Sequence, residues 1–252
     1  MSRLPAKTLI IGARGRMGAM LLRRAGKAGL TVAGVDRPLT PETLAPACAG
    51  VDLAMLCVPA AALGEVLDSL CPHLPPTAVL SDITSVKEEP LRRMARVWPG
   101  AIVGTHPLFG PRPERGSDLP VAIVPGARAE EAHLDLTEDF FRGLGCRIFR
   151  CTASQHDRAM ARIQSMNFIT NLAYFAMLAG EEELLPFLTP SFRRRQQAAQ
   201  KNLTEDAALF AGLFEANPHS HAAVRQYRQM LNMAAAGEID LLCQRAQWWW
   251  EE

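Results

Sequence analysis

The sequence has no marked excess of either charge, no long apolar run and no paired cysteine motif, and each absence excludes a class of protein. Its 27 basic side chains are balanced by 26 acidic ones, so no overall field would attract nucleic acid or an anionic membrane. No continuous apolar run approaches the about 20 residues that a transmembrane helix needs. The six cysteines form no CxxC pair and have no histidine at metal-ligand spacing, so we predict no metal site.

The chain does contain enough apolar sequence for a substantial core, because 48% of its residues are hydrophobic. Several cysteines, such as Cys57, lie in apolar runs, which is typical of reduced thiols in a core. Residues 1–7 lead straight into a predicted strand and lack the apolar region of a signal peptide. We therefore expect a cytoplasmic protein.

A glycine-rich turn near the start lies in the setting of a dinucleotide-binding unit. A predicted strand over 8–11 leads into Gly-Ala-Arg-Gly-Arg-Met-Gly at 12–18, a helix follows over 17–27, and a second strand over 30–35 ends at Asp36. The glycines permit a tight turn against a pyrophosphate, and the helix start offers free N–H groups to it. Asp36 stands where a carboxylate that binds ribose hydroxyls is expected.

One departure from G-x-G-x-x-G concerns the first glycine. Aligning Gly15 and Gly18 with the last two glycines puts Ala13 at the first position, with Gly12 beside it. Asp36 favours NAD because its charge would repel a 2′-phosphate, whereas nearby arginines leave NADP open. The residues predicted to bind the cofactor are Gly12, Ala13, Arg14, Gly15, Arg16, Met17, Asp36, Arg37, Val58, Pro59 and Asp82.

The order of the predicted elements indicates an α/β fold followed by an all-helical region. Strands and helices alternate through the first 152 residues, which predicts a Rossmann-type, doubly wound parallel sheet. After that point the strand signal stops, and a long helix over 153–179 precedes several shorter ones. We predict a dinucleotide-binding domain at 1–152 and a helical domain at 153–252 that binds substrate and forms a homodimer.

Three polar side chains follow two neighbouring predicted strands. Ser85 and Lys87 come after the strand at 79–82, and His106 comes after the strand at 102–104. Open α/β sheets bind ligands at this edge. A histidine there can act as a general base, although a loop histidine often only bonds a backbone carbonyl.

Taken in chain order, these motifs resemble the prephenate dehydrogenase family. The resemblance rests on the glycine turn, Asp-x-x-Ser-Val-Lys at 82–87 and Gly-x-His-Pro-x-Phe-Gly-Pro at 104–111. Residues 156–164 are similar to the start of that family's helical domain. Residues 188–193 are similar to a later segment in which an aromatic-arginine pair faces the substrate.

The resemblance implies oxidative decarboxylation of a small molecule, prephenate, to 4-hydroxyphenylpyruvate in tyrosine biosynthesis, with NAD or NADP as acceptor. It implies that His106 takes the proton of the ring hydroxyl and that Ser85 hydrogen-bonds the same oxygen. It also assigns four residues to substrate binding: Lys87, Gln164, Asn167 and Arg193.

A second departure leaves the substrate open. Relatives often have an Arg-His pair a few residues after Ile-Gln, where this chain has Met166-Asn167-Phe168. Arogenate or a related cyclohexadienyl acid is therefore an alternative substrate. The glycine turn also resembles that of dihydrodipicolinate reductases, but their His-His and Lys segment is absent. A regulator that binds a dinucleotide without catalysis is the remaining alternative.

Overall fold

The computed structural model describes residues 4–251, and the chain divides into two compact units. The first unit ends at His156 and the second begins at Asp157. The sequence predicts a boundary between residues 152 and 153, shortly before this point.

Within residues 4–156, seven strands form one sheet: β1 (Thr8–Ile11), β2 (Val32–Val35), β3 (Leu53–Leu56), β4 (Val79–Asp82), β5 (Ile102–Pro107), β6 (Pro120–Pro125) and β7 (Arg147–Arg150). Their order is β2-β1-β3-β4-β5-β6-β7. Strands β1 and β3 are buried at every residue, which accounts for their nearly continuous apolar sequences.

Helices cover both faces of this sheet: α1 (Arg16–Lys27), α2 (Pro41–Cys48), α3 (Leu63–Leu70), α4 (Glu88–Val97) and α5 (Glu131–Gly143). One core contains Leu44, Leu67 and Met94 from α2, α3 and α4. The opposite core contains Leu21 from α1 and Phe140 from α5. A sheet with helices on both faces is the doubly wound architecture, so the predicted fold class is confirmed.

Two strands, β6 and β7, run opposite to the other five. Strands β1 to β5 are parallel, but β6 pairs antiparallel with β5, and β7 then runs parallel to β6. Residues 108–119 contain no helix, and a parallel neighbour requires a crossover connection, so the chain turns back directly as a hairpin. The predicted parallel sheet is therefore mostly parallel, with one antiparallel pair.

Helix α2 is not among the predicted helices, and it contains two prolines, Pro41 and Pro46. In the structure, Pro41 is the first helical residue, where a missing N–H costs nothing. The Thr43 hydroxyl accepts a hydrogen bond from the Thr40 N–H at 3.1 Å and closes the start of the helix.

The second unit is helical. The helix predicted over 153–179 is present as α6 (Ala153–Met160), a π-helical segment (Ala161–Ser165) and α7 (Met166–Met177). Further helices follow: α8 (Pro190–Thr204), α9 (Ala207–Ala216), α10 (Ser220–Ala235) and α11 (Ile239–Gln247). Asn217 ties the segment between α9 and α10 to the long helix, because its side-chain amide donates to the Asp157 carbonyl at 2.8 Å. Across residues 4–251, none of the helices is both long and apolar enough to cross a membrane.

Candidate active site

The turn after β1 needs glycine at two positions. Gly12 has a φ of 82°, and a Cβ added there would lie 2.5 Å from the Cys57 carbonyl oxygen. A Cβ on Gly18 would lie 2.2 Å from the Gly12 carbonyl oxygen. Both contacts are shorter than atoms tolerate, so a side chain at Gly12 would force the turn away from the end of β3, and one at Gly18 would force α1 away from the turn. Gly12, rather than the aligned Ala13, therefore fills the role of the first glycine.

A cavity of about 300 Å³ opens beside this turn at the carboxyl ends of β1, β2 and β3. Its wall includes six of the residues predicted to bind the cofactor: Gly12, Gly15, Asp36, Arg37, Val58 and Pro59. Apolar side chains that the sequence prediction missed, such as Leu39 and Val66, complete the wall. They come from the connection after β2 and from α3, and no local pattern in the sequence marks them as cavity residues.

The remaining predicted cofactor residues lie outside that wall. Ala13 is buried, and a Cβ on Gly34 of β2 would meet its methyl group at 2.7 Å, so its small size serves packing. Arg16 and Met17 form the first turn of α1, and Gly15 is the residue before it. No acidic residue occupies that first turn, so its N–H groups keep a positive field suited to an anion.

Asp36 is held as an anion at the mouth of the cavity. The backbone N–H of Arg14 donates to its Oδ2 at 2.8 Å, and the N–H of Arg37 donates to its Oδ1 at 2.9 Å. The Arg14 N–H is the main cause that lowers the pKa of Asp36 below 3.8. The Arg37 guanidinium pairs with Glu65 at 2.7 Å, so a 2′-phosphate would compete with Glu65 for it.

Lys87 and Asp82 form a wholly buried ion pair, a contact that the sequence prediction does not include. The Lys87 ammonium lies 2.6 Å from Asp82 Oδ2 and 2.7 Å from the Thr105 carbonyl, and both side chains are fully buried. The Thr84 N–H donates to the same Asp82 oxygen at 2.9 Å. The roles predicted for Asp82 at the nucleotide and for Lys87 at a substrate carboxylate stay predictions. In the structure the pair joins the end of β4 to β5.

This ion pair sets the position of Ser85. Ser85 is half-buried and lies in the loop between β4 and α4, between two residues that are bonded to Asp82. In the sheet register Asp82 lies opposite Gly104, two residues before His106. Ser85 and His106 therefore each follow, by a few residues, one member of the Asp82–Gly104 register pair.

His106 lies within β5, and its imidazole is 5% exposed. Its Nδ1 lies 2.9 Å from Nε2 of His156, and the two rings meet edge to face at 65°. Burial, followed by the nearby His156 and Lys87, lowers the pKa of His106 well below 6.5. The ring is therefore neutral at neutral pH, which is the state that a general base requires.

His156 is the residue of this site that the sequence prediction missed. It belongs to the His-Asp pair that opens the segment with family resemblance, but nothing in the sequence shows that it contacts a residue 50 positions earlier. Its ring is 3% exposed. Within residues 4–251 no group of three potential metal ligands occurs.

The other predicted substrate residues belong to the second unit. Gln164 lies in the π-helical segment and Asn167 in the first turn of α7. Such π segments are frequent at functional sites. Phe168 beside them is buried and stacks on Phe210 with ring centroids 5.6 Å apart, so it is a core residue.

Arg193 lines a separate cavity of about 570 Å³ in the second unit, together with Phe175 of α7. The next arginine, Arg194, is exposed to solvent. Arg195 packs against an aromatic ring, because its guanidinium carbon lies 3.9 Å from the centroid of the Tyr174 ring. The run of three arginines therefore has three different environments.

A doubly wound sheet with a glycine turn and an acid after the second strand defines a Rossmann-type dinucleotide-binding unit. Residues 26–150 match the family model for prephenate dehydrogenase, nucleotide-binding domain. The T-protein of Enterobacter agglomerans is 30% identical over 235 residues, which cover 90% of this chain and 61% of that protein. The chain belongs to the prephenate dehydrogenase family.

Two solved structures share the fold. The A. aeolicus prephenate dehydrogenase, in complex with hydroxyphenyl propionate and NAD+, matches with a TM-score of 0.77 at 17% identity, covering 98% of this chain and 96% of that one. The Synechocystis arogenate dehydrogenase matches with a TM-score of 0.75 at 22% identity, covering 96% of each chain. The present chain spans about 61% of the length of the T-protein that it matches.

Proposed function

We propose that this chain is an NAD-dependent dehydrogenase that converts prephenate oxidatively to 4-hydroxyphenylpyruvate and carbon dioxide. The observation that carries the proposal is His106, a buried and neutral imidazole in the strand next to the one that positions Ser85. The family membership supports the same activity.

The first unit fits a dinucleotide. The cradle at Gly12 and Gly18 admits no side chain, and the cavity beside it has the anionic Asp36 on its wall. We propose that Asp36 accepts the ribose hydroxyls and that the first turn of α1 donates N–H groups to the pyrophosphate. When bound, the nicotinamide ring accepts the hydride.

His106 would act on the ring hydroxyl of prephenate. Its Nε2 accepts the hydroxyl proton as the hydride leaves the same carbon, so the C–O bond becomes a carbonyl. Ser85 would hydrogen-bond the same oxygen. The ketone is conjugated to the carbon that bears the carboxylate, so carbon dioxide leaves and the ring becomes aromatic. Little further catalysis is required after the hydride transfer.

Arogenate is the second candidate substrate. It is favoured by Met166-Asn167-Phe168, where relatives often have Arg-His, and by the burial of Phe168. Steady-state rates with prephenate and arogenate, each with NAD and NADP, distinguish the two. NADH formation with prephenate supports the main proposal. If the protein turns over neither acid, the remaining alternative is a regulator that binds a dinucleotide without catalysis. We also propose a cytoplasmic location, because the cysteines form no CxxC pair and several of them lie in apolar runs that are typical of reduced core thiols.

Replacing Asp36 with Ser is expected to shift the ratio of kcat/KM from NAD toward NADP by at least about 10-fold. The substitution removes a charged acceptor for the ribose hydroxyls and the charge that repels a 2′-phosphate. Steady-state kinetics with both cofactors measure the shift. Glu65→Gln is the matched control, since it frees Arg37 but keeps Asp36. An unchanged preference in Asp36→Ser, or a wild type that prefers NADP, would refute this role of Asp36.

Arg193→Lys is expected to raise KM for the substrate by about 10-fold or more, because lysine lacks the two-pronged geometry that a guanidinium offers to a carboxylate. KM for NAD should stay nearly unchanged. The control is Arg194→Lys, which is expected to be silent. Arg195 is unsuitable as a control because it packs on Tyr174. Equal effects of the Arg193 and Arg194 substitutions would show that Arg193 is only a solvated charge.

We further propose that the second unit forms a homodimer. Several of its large apolar side chains are exposed, among them Ile163, Met177, Phe187, Trp249 and Trp250. Such a surface is typical of a protein interface. Light scattering at micromolar concentration is expected to give about twice the chain mass of 27.5 kDa. A single monomeric species at every concentration would reject the dimer.

A further inference from the structure

We propose that His156 is a positioning residue that holds His106 in the tautomer whose Nε2 carries no proton. The inference rests on the proposed function, in which Nε2 of His106 accepts the hydroxyl proton. His156 does not touch the substrate in this account. It acts through the ring of His106.

The contact between the two rings permits only two arrangements of one proton. His106 Nδ1 and His156 Nε2 are 2.9 Å apart, a hydrogen-bond distance, and both rings are buried. If the proton is on His106 Nδ1, His156 is the acceptor and Nε2 of His106 keeps its lone pair. If the proton is on His156 Nε2, a neutral His106 carries its own proton on Nε2 and does not act as a base.

The charge of Lys87 favours a neutral ring at His106. The Lys87 ammonium lies in the same buried region, and its positive charge disfavours an imidazolium at His106. The neutral His106 ring carries one proton, on Nδ1 or on Nε2. The direction of its hydrogen bond with His156 decides which nitrogen of His106 is free.

An imidazole acceptor suits this task better than a carboxylate would. A buried carboxylate against Nδ1 would favour the imidazolium and raise the pKa of His106, so that the base would be occupied at neutral pH. His156 can fix the tautomer without supplying a negative charge. When His106 takes the proton from the substrate, the hydrogen bond to His156 becomes charge-assisted and stronger.

The test measures both the tautomer of His106 and the steady-state kinetics of the variants. Long-range ¹H–¹⁵N spectra of protein labelled at histidine distinguish a protonated from a bare ring nitrogen, and the His106→Asn variant identifies the signals of His106. We expect the wild type to show Nδ1 protonated and Nε2 bare at neutral pH. In His156→Phe, which keeps a ring but removes the acceptor, we expect the Nε2-protonated form to appear. The kcat should fall by at least about 10-fold, within the about 10⁴-fold that a lost tautomer partner can cost.

His156→Gln is the matched control, because its amide oxygen can accept from Nδ1 where Nε2 of His156 stood. It should retain the tautomer and most of kcat, and KM for NAD should be unchanged in both variants. A wild-type His106 protonated at Nε2 overturns the inference even if His156→Phe does not fold. So does a His156→Phe protein with wild-type tautomer and kcat. If no variant or wild type turns over prephenate, the proposed function fails, while the spectra still decide the direction of the hydrogen bond.

Discussion

Replacing His106 with Asn is expected to lower kcat for prephenate by about 10²–10⁴, the usual cost of removing a positioned general base. The protein should still fold and bind NAD, because the cavity beside the glycine turn does not include His106. Steady-state kinetics give the loss in kcat, and titration of protein fluorescence with NAD gives the cofactor affinity.

Asn is chosen because it is smaller than histidine and remains polar in a buried position. Its amide has no basic nitrogen, so it cannot take a proton at neutral pH. If the variant keeps more than about a third of the wild-type kcat, His106 is not the base. Loss of folding, seen in the circular dichroism spectrum, would separate a structural role of the imidazole from a chemical one.

The second large effect is expected on stability. Lys87→Met should lower the free energy of unfolding by about 3–5 kcal/mol, because it leaves the Asp82 carboxylate buried without its cation. Both side chains of this pair are fully buried and lie 2.6 Å apart. Denaturant unfolding of the two proteins side by side measures the difference.

Two controls separate burial from charge. Arg93 pairs with Glu89 on the exposed side of α4, and Arg93→Met should change stability by less than about 1 kcal/mol. The double variant Lys87→Met with Asp82→Leu should regain part of the lost stability, since it removes both buried charges. If Lys87→Met is no more destabilising than Arg93→Met, the buried pair does not hold β4 against β5.

The sequence predicts the sheet and its nucleotide turn well because their signals are local. Short apolar runs mark the buried strands, and spacing from the glycine turn alone identifies Asp36 as the candidate ribose-binding carboxylate. The direction of β6 has no local signal in the sequence. It depends on whether residues 108–119 form a crossover, and the turn-rich composition of that segment does not by itself specify a hairpin.

Polar residues near strand ends are harder to interpret. Lys87 and His106 look alike in the sequence, since each is a polar group just beyond an apolar run. Only the fold shows that Lys87 is enclosed by Asp82 and Thr105, whereas His106 contacts the ring of His156. The contact with His156 joins residues far apart in the chain, so a single sequence gives no signal for it.

The measurement that tests the central claim most directly is the pH dependence of kcat/KM for prephenate, followed as NADH formation. The unprotonated imidazole is the active form, so the rate should be constant above the pKa of His106 and fall as the pH drops below it. Because burial lowers that pKa well below 6.5, the decline is expected only below pH 6.5, and His106→Asn should lack it. An acid limb that survives in His106→Asn, or no NADH formation by the wild type at any pH, would contradict the account.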